Sequence, residues 1–227
     1  MKICIIGGGN GAFAAAADLT LKGHKVNLYE DERFKQNIEG ILEDKTIHLE
    51  GVGNTGDAIL NKVTTDLEQA LEEVDIIMPV VPAYALKNFA DKIAEYIKPG
   101  DRIVLTPGST GGALIVAKVL KEKNKIKDVR IAEMHTLPYA TRKVGNKGVK
   151  ILLECKKLYF AAFPAYYNEE MYDLVKVLYP ALCLVSDVLE SSLNNGNPVS
   201  HPAPVVLNAG NIEYFKGEHY HYREGIT

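Results

Sequence analysis

The chain opens Met1-Lys2-Ile3-Cys4-Ile5-Ile6-Gly7-Gly8-Gly9-Asn10-Gly11-Ala12, and the alternation that begins there decides the fold. Met1 to Ile6 is a short apolar run. The glycine loop follows at once, and Phe13 to Leu21 then reads as an alanine-rich helix. Gly23-His24 turns the chain into a second apolar strand, Lys25 to Tyr29, which ends in Glu30. Strand, glycine loop, helix, strand and acid form the layout of a dinucleotide-binding βαβ unit. Gly7 permits the tight turn, and Gly9 lets the backbone approach a pyrophosphate. Ala12 stands where a small residue lets helix and strand pack closely. Asn10 and Gly11 open the helix, whose N–H groups and positive dipole end suit phosphates. Glu30 can accept hydrogen bonds from an adenosine ribose and repels a 2′-phosphate, so NAD is the expected cofactor. NADP is the alternative, because Arg33 is close enough to swing onto a phosphate. Read alone, the loop is also compatible with a glycine-rich turn that holds nothing.

With 227 residues, the chain suffices for one large domain or a domain and a fragment. The formal net charge of −3 gives no support for nucleic-acid or membrane-surface partners. No apolar run approaches the roughly 18 residues of a membrane span, and the N-terminus reads as a strand, not a signal peptide. The three cysteines, Cys4, Cys155 and Cys183, lie far apart without pairing motifs. A reduced, cytoplasmic protein is expected. No metal site is expected either, since His219 and His221 would point different ways on a helix.

Beyond Glu30, Lys45 to Glu50 reads as a hairpin-like excursion ending at Gly51-Val52-Gly53. Strands are expected over Lys62 to Thr65, Val74 to Val81, Arg102 to Leu105 and Val129 to Met134. Helices are expected over Leu67 to Glu73, Tyr84 to Ile97 and Ala113 to Lys121. This alternation predicts an α/β fold with a doubly wound parallel sheet. The loops after Ile6, Glu30, Val81, Leu105 and Met134 should then face one cleft. From Lys147 the texture changes. Gly148 to Glu154 and Lys157 to Phe163 read as two paired strands, followed by a helix over Asn168 to Tyr179 and a last strand over Leu182 to Ser186. The expected division is a dinucleotide-binding domain over 1–186 and the beginning of a helical domain over 187–227.

Near the end stands Asn197-Pro198-Val199-Ser200-His201-Pro202-Ala203-Pro204, then an apolar helix, Val205 to Phe215, carrying Asn208. Prolines and a glycine predict a rigid loop here. His201 suits general acid–base work, since imidazole titrates near neutrality. Packing or capping of the loop is the competing reading.

On these residues the chain resembles the octopine/nopaline (opine) dehydrogenases. The likeness rests on Gly7 to Gly11 with the alanine-rich helix, on Glu133 and Thr136-Leu137-Pro138-Tyr139-Ala140-Thr141-Arg142, and above all on Asn197 to Pro202. Tyr220 to Thr227 also resembles the family's early helical-domain sequence. The resemblance implies reductive condensation of an amino acid with a 2-keto acid such as pyruvate, through an imine, using NADH or NADPH. It implies that His201 polarises or protonates the keto oxygen and that Asn197 holds His201 or a substrate carboxylate. Val81-Pro82 and Thr106-Pro107-Gly108 would bracket the nicotinamide. Tyr139, Arg142 and Asn208 are substrate candidates, Arg142 because guanidinium binds carboxylate as a bidentate fork; a surface cation is its plainer reading.

The family has a complete helical second domain, much of which is absent here. The chain is therefore expected to be truncated, a remnant, or completed by a homodimer partner or a second chain. The rival readings are a 2-keto acid reductase of the ketopantoate-reductase type and a non-catalytic NAD-binding module.

Overall fold

The computed structural model describes residues 1–216 together with Glu224 and Gly225. The expectations placed on His219, His221 and most of the Tyr220 to Thr227 stretch lie outside the described residues.

In chain order the elements are β1 (Lys2–Ile6), α1 (Asn10–Leu21), β2 (Lys25–Tyr29), β3 (Thr46–Gly51), β4 (Gly56–Ile59), β5 (Lys62–Thr64), α2 (Leu67–Leu71), β6 (Ile76–Pro79), α3 (Leu86–Ile93), β7 (Arg102–Leu105), α4 (Gly112–Glu122) and β8 (Arg130–Met134). They continue with β9 (Tyr139–Val144), β10 (Gly148–Glu154), β11 (Leu158–Phe163), α5 (Asn168–Lys176), β12 (Leu182–Leu184), α6 (Val188–Leu193), α7 (Asn197–Ser200), α8 (Pro202–Leu207) and α9 (Ala209–Tyr214).

The main sheet has the order β12-β11-β8-β7-β6-β1-β2-β5. Every neighbouring pair is parallel except β8 with β11. From β1 the chain winds outward through β2 to β5, then returns to the other side of β1 and winds through β6, β7 and β8. The direction of winding therefore reverses between β1 and β6, where a doubly wound sheet opens a crevice at the carboxyl ends of its strands. Strand residues alternate between two cores. Ile3 and Ile5 pack on the α1 side, while Cys4 and Ile6 pack on the side of α2, α3 and α4.

A second sheet, β4-β3-β10-β9, lies over the far side of α1. This explains the alanines. Ala12 and Ala14 to Ala17 are all fully buried, because α1 is enclosed by a sheet on either side. A helix apolar all round has no solvent face, and small side chains let both sheets approach it.

Three sequence expectations are corrected. Gly148 to Glu154 and Lys157 to Phe163 do not pair with each other: β10 joins β9 and β3, while β11 inserts between β8 and β12. The reason is burial. Phe160, Ala161 and Ala162 are buried on consecutive positions and suit a two-sided interior strand, whereas β10 exposes Lys150 and Leu152. The Asn197–Pro204 stretch is helical rather than a loop, with Pro198 and Pro202 in the first turns of α7 and α8, where proline lacks no needed N–H. The helix expected over Val205 to Phe215 is split at Asn208, whose amide donates to Pro204 O at 2.9 Å and to Gly225 O at 3.2 Å.

Candidate dinucleotide and active site

The glycine loop sits at the carboxyl end of β1, tied to both neighbours. Gly7 N donates to Tyr29 O, and Val80 N donates to Ile6 O, both at 2.8 Å. Gly7 adopts φ +120°, and a Cβ there would lie 2.7 Å from the Val80 carbonyl oxygen. Only glycine fits both constraints. At Gly8 a Cβ would meet Glu30 Oε2 at 2.7 Å, so the end of β2 presses directly on the loop. Gly9 is the opposite case, with nothing within 4 Å of its Cβ position. No side chain caps the start of α1, and its first turn carries no acid. The helix end thus offers N–H groups and a positive dipole into open space, which suits a pyrophosphate. A Cβ at Gly11 would touch Leu137 and Val80 at 3.0 and 3.1 Å, so the loop after β8 closes on the same turn. Ala12 is fully buried.

Glu30 is held in place by its own loop. Oε1 accepts from Asp31 N and Oε2 from Asn37 Nδ2, each at 2.9 Å. Arg33 is engaged by Asp31, with Nε donating to Oδ1 at 2.9 Å. That bond, with help from Lys92, holds the Asp31 carboxyl well below the usual carboxylate range. Lys143 was not foreseen. It reaches in from β9, its Nζ donating to Asn37 O at 2.6 Å and its backbone N to Asn10 Oδ1 at 2.8 Å. The second sheet therefore braces the loop, and Asn10 is spent on that brace. Burial lowers the Lys143 pKa, against a pull upward from Glu30. A lysine on an alternating strand carries no sequence signal for this position.

Val81 and Pro82 follow β6 at the cleft edge, half-buried and exposed. Thr106 is fully buried, with N donating to Pro79 O at 3.0 Å and Oγ1 to Val104 O at 3.3 Å. It ties β7 to β6, and its side chain faces the interior. Gly108 N donates to Met134 O at 2.9 Å, and a Cβ on Gly108 would fall 2.5 Å from Glu133 Cβ.

Glu133 is the buried polar centre of this end. Its Oε2 accepts from Ala113 N at the start of α4 at 2.8 Å, and its Oε1 accepts from Ser192 Oγ at 2.7 Å. Ser192 Oγ in turn accepts from Gly111 N at 2.8 Å. Burial raises the Glu133 pKa, opposed by these hydrogen bonds. From Ser192 the chain runs through buried Asn195, whose Oδ1 accepts from exposed Asn197 N at 3.1 Å, to half-buried His201. His135, after β8, pairs with Tyr159 through backbone and ring bonds, and burial lowers its pKa.

Two substrate candidates stand elsewhere. Tyr139 is 5% exposed; its hydroxyl donates to the buried Asp18 Oδ2 at 2.5 Å and its ring meets Tyr179 edge-on. It fastens the second sheet to α1 and has no access to a ligand. Arg142 lies on the outer face of β9, exposed, with Nη1 donating to Thr141 O at 2.9 Å. Strand alternation turns it away from the glycine loop that Lys143 meets. Asn208 sits at the α8–α9 break. Among the described residues, no group of three or more His, Cys, Asp or Glu is placed to hold a metal.

A doubly wound sheet with a glycine cradle at its switch point is the fold class of dinucleotide-binding proteins. Residues 2–135 match the N-terminal family of NAD-dependent glycerol-3-phosphate dehydrogenase, and residues 184–227 match the α-helical domain of NAD/NADP octopine/nopaline dehydrogenase. The family model that matches more than half of the chain places it in the NAD-dependent glycerol-3-phosphate dehydrogenase N-terminal family, and over nearly its whole length the chain is similar to opine dehydrogenases. It is 36% identical over 223 residues to the opine dehydrogenase of Arthrobacter sp. (strain 1C), a match spanning 98% of this chain and 61% of that protein. Its fold is similar to that of apo yersinopine dehydrogenase (TM-score 0.79, 21% identity, covering 100% of this chain and 58% of that one). It is similar also to octopine dehydrogenase solved with NADH and L-arginine (TM-score 0.74, 22% identity, 97% and 56%).

Proposed function

We propose that this chain carries the cofactor half and the acid–base element of an NAD(P)H-dependent opine-type dehydrogenase, which condenses an amino acid with a 2-keto acid such as pyruvate. The observation that carries this reading is one of position. The helix leading to Asn197 and His201 is bonded, through Ser192, to the loop that follows β7 at the mouth of the cofactor crevice.

In this reading, Gly7, Gly9, Gly11 and the start of α1 hold the pyrophosphate, and Glu30 takes the adenosine ribose. Val81-Pro82 and the Thr106–Gly108 loop flank the nicotinamide. The bound reduced nicotinamide supplies a hydride to the imine carbon. His201 donates a hydrogen bond to the keto oxygen while the amine adds. It then delivers a proton to the carbinolamine hydroxyl as water leaves and the C=N bond forms. Asn197 orients His201 or the substrate carboxylate. Tyr139 and Arg142 have no part in this scheme, because of where the fold puts them.

NAD is preferred over NADP. Glu30 repels a 2′-phosphate, and Arg33 is held by Asp31 instead of standing free to bind one. Among the described residues no helix is long and apolar enough to cross a membrane, and we place the protein in the cytoplasm. The substrates are small molecules. A homodimer or a second chain covers the exposed apolar residues that follow α6.

The test is NADH oxidation with pyruvate and a panel of amino acids. The reading requires oxidation that depends on both substrates and is lost in His201→Ala. Turnover with keto acid alone would point instead to a ketopantoate-type reductase. NADH binding without any turnover would leave a nucleotide-binding module.

A further inference from the structure

We propose that Glu133 is a positioning residue for His201: through Ser192 its buried carboxylate sets the histidine-bearing helices in register with the nicotinamide loop. The inference rests on the reading of His201 as the acid of the reaction and adds to it the device that places it.

The geometry runs unbroken from one to the other. Glu133 is fully buried on β8, and its two oxygens face two different elements. Oε2 takes Ala113 N at the start of α4, and Oε1 takes the Ser192 hydroxyl from α6. The same hydroxyl accepts from Gly111 N, so loop and helix share one oxygen atom. Asn195 N then donates to Ser192 O at 3.2 Å, Asn197 N to Asn195 Oδ1 at 3.1 Å, and His201 N to Asn197 O at 3.0 Å. Each link is a directional bond between groups close in sequence, so displacement of Ser192 is passed to His201 with few free torsions between them. On the other side, Gly108 packs against Glu133 Cβ closely enough that no side chain fits. One carboxylate thus fixes both walls of the crevice.

A buried carboxylate is a costly way to join two elements, since burial penalises its charge. Apolar packing would hold α6 against β8 and α4 as firmly. What the carboxylate adds is direction: it accepts only from donors at set angles, and so fixes a register where apolar contact would let the helix slide. Register matters because misplacement of an acid by about 1 Å can cost about a hundredfold in rate.

The experiment reads His201 directly, in the full chain and without substrate. In ¹⁵N-labelled protein the His201 ring signals are identified by their loss in His201→Gln. Ser192→Ala and Glu133→Gln are both expected to shift those signals by similar amounts. The double variant should move them no further than either single change, and Ser192→Thr, which keeps the hydroxyl, should restore them. In protein that turns over, Ser192→Ala should lower kcat by about ten- to a hundredfold while NADH affinity stays within about twofold. Unchanged His201 signals in Ser192→Ala would overturn the proposal, as would additive shifts in the double variant or failure of Ser192→Thr to restore them. Should Glu133→Gln fail to fold, the Ser192 pair decides alone. Absence of turnover would sink the proposed reaction and leave the ring-signal result standing; unchanged ring signals beside full turnover would sink this proposal alone.

Discussion

Gly7 has φ +120° and a backbone oxygen 2.7 Å from where its Cβ would be. Gly7→Ala must therefore strain the turn or push Val80 away. We predict at least a tenfold loss of NADH affinity, about 1.4 kcal/mol, read by fluorescence titration. Glu133 makes a prediction in pH. Its folded pKa is raised, so the folded state holds the proton more tightly than the unfolded chain does. Stability from this group is thus greatest below the unfolded carboxylate value of about 4.3 and declines as pH rises toward the folded value. Urea titrations at a series of pH values should show wild type losing stability relative to Glu133→Gln across that window. Gly7, Gly9 and Glu30 could be singled out in the sequence because the pattern that marks them lies within one βαβ unit. The contacts of Glu133 with Ser192 and of Lys143 with Asn37 and Asn10 could not be, because these partners lie 59, 106 and 133 positions apart.

At the scale of elements, α1 belongs to both sheets, and Asp18 is what fastens the second one. It is fully buried and receives Tyr139 Oη at 2.5 Å, Lys22 Nζ at 2.7 Å and Asn54 Nδ2 at 2.9 Å. Asp18→Ala leaves all three donors without their shared acceptor, and Lys22 without its counter-ion. The expected cost is about 3–5 kcal/mol, visible as a large drop in thermal midpoint. The alternation of strands and helices over residues 2–134 could be read from periodicity, and so could the Lys45–Gly53 excursion, which became β3. The second sheet could not. Its four strands come from two separated segments, and the sign of it was indirect: alanines on every side of α1. The same gap explains why β10 and β11 read as a hairpin. Two apolar runs around Lys156-Lys157 look paired until β11, buried at Leu158 and at Phe160 to Ala162, finds its place inside the main sheet. Tyr139 and Arg142 were misplaced for a related reason. A motif names residues, but strand alternation decides which face they occupy.

At the scale of the molecule, α6 packs on the main core through Val188, and the described residues of the helices after it belong to neither core. Leu193, Val199, Val206, Leu207 and Tyr214 are each more than 70% exposed. Exposed apolar surface of this kind favours association. We predict concentration-dependent self-association by sedimentation, weakened by Val206→Asp with Leu207→Asp, with the melting temperature little changed. The likeness to opine dehydrogenases could be read from the Asn197–His201 element, though the element's helical form could not, since proline within a helix's first turn looks like loop sequence. The central claim is that hydride from the cofactor bound at Gly7–Glu30 is delivered to an imine formed under His201. It is tested most directly with NADH deuterated at the transferred position, together with pyruvate and an amino acid, the products being read by mass spectrometry. The account predicts a secondary-amine dicarboxylate carrying one deuterium on the former keto carbon, absent with His201→Ala. Deuterium appearing in a 2-hydroxy acid instead, or a labelled amine formed equally well by His201→Ala, would contradict it.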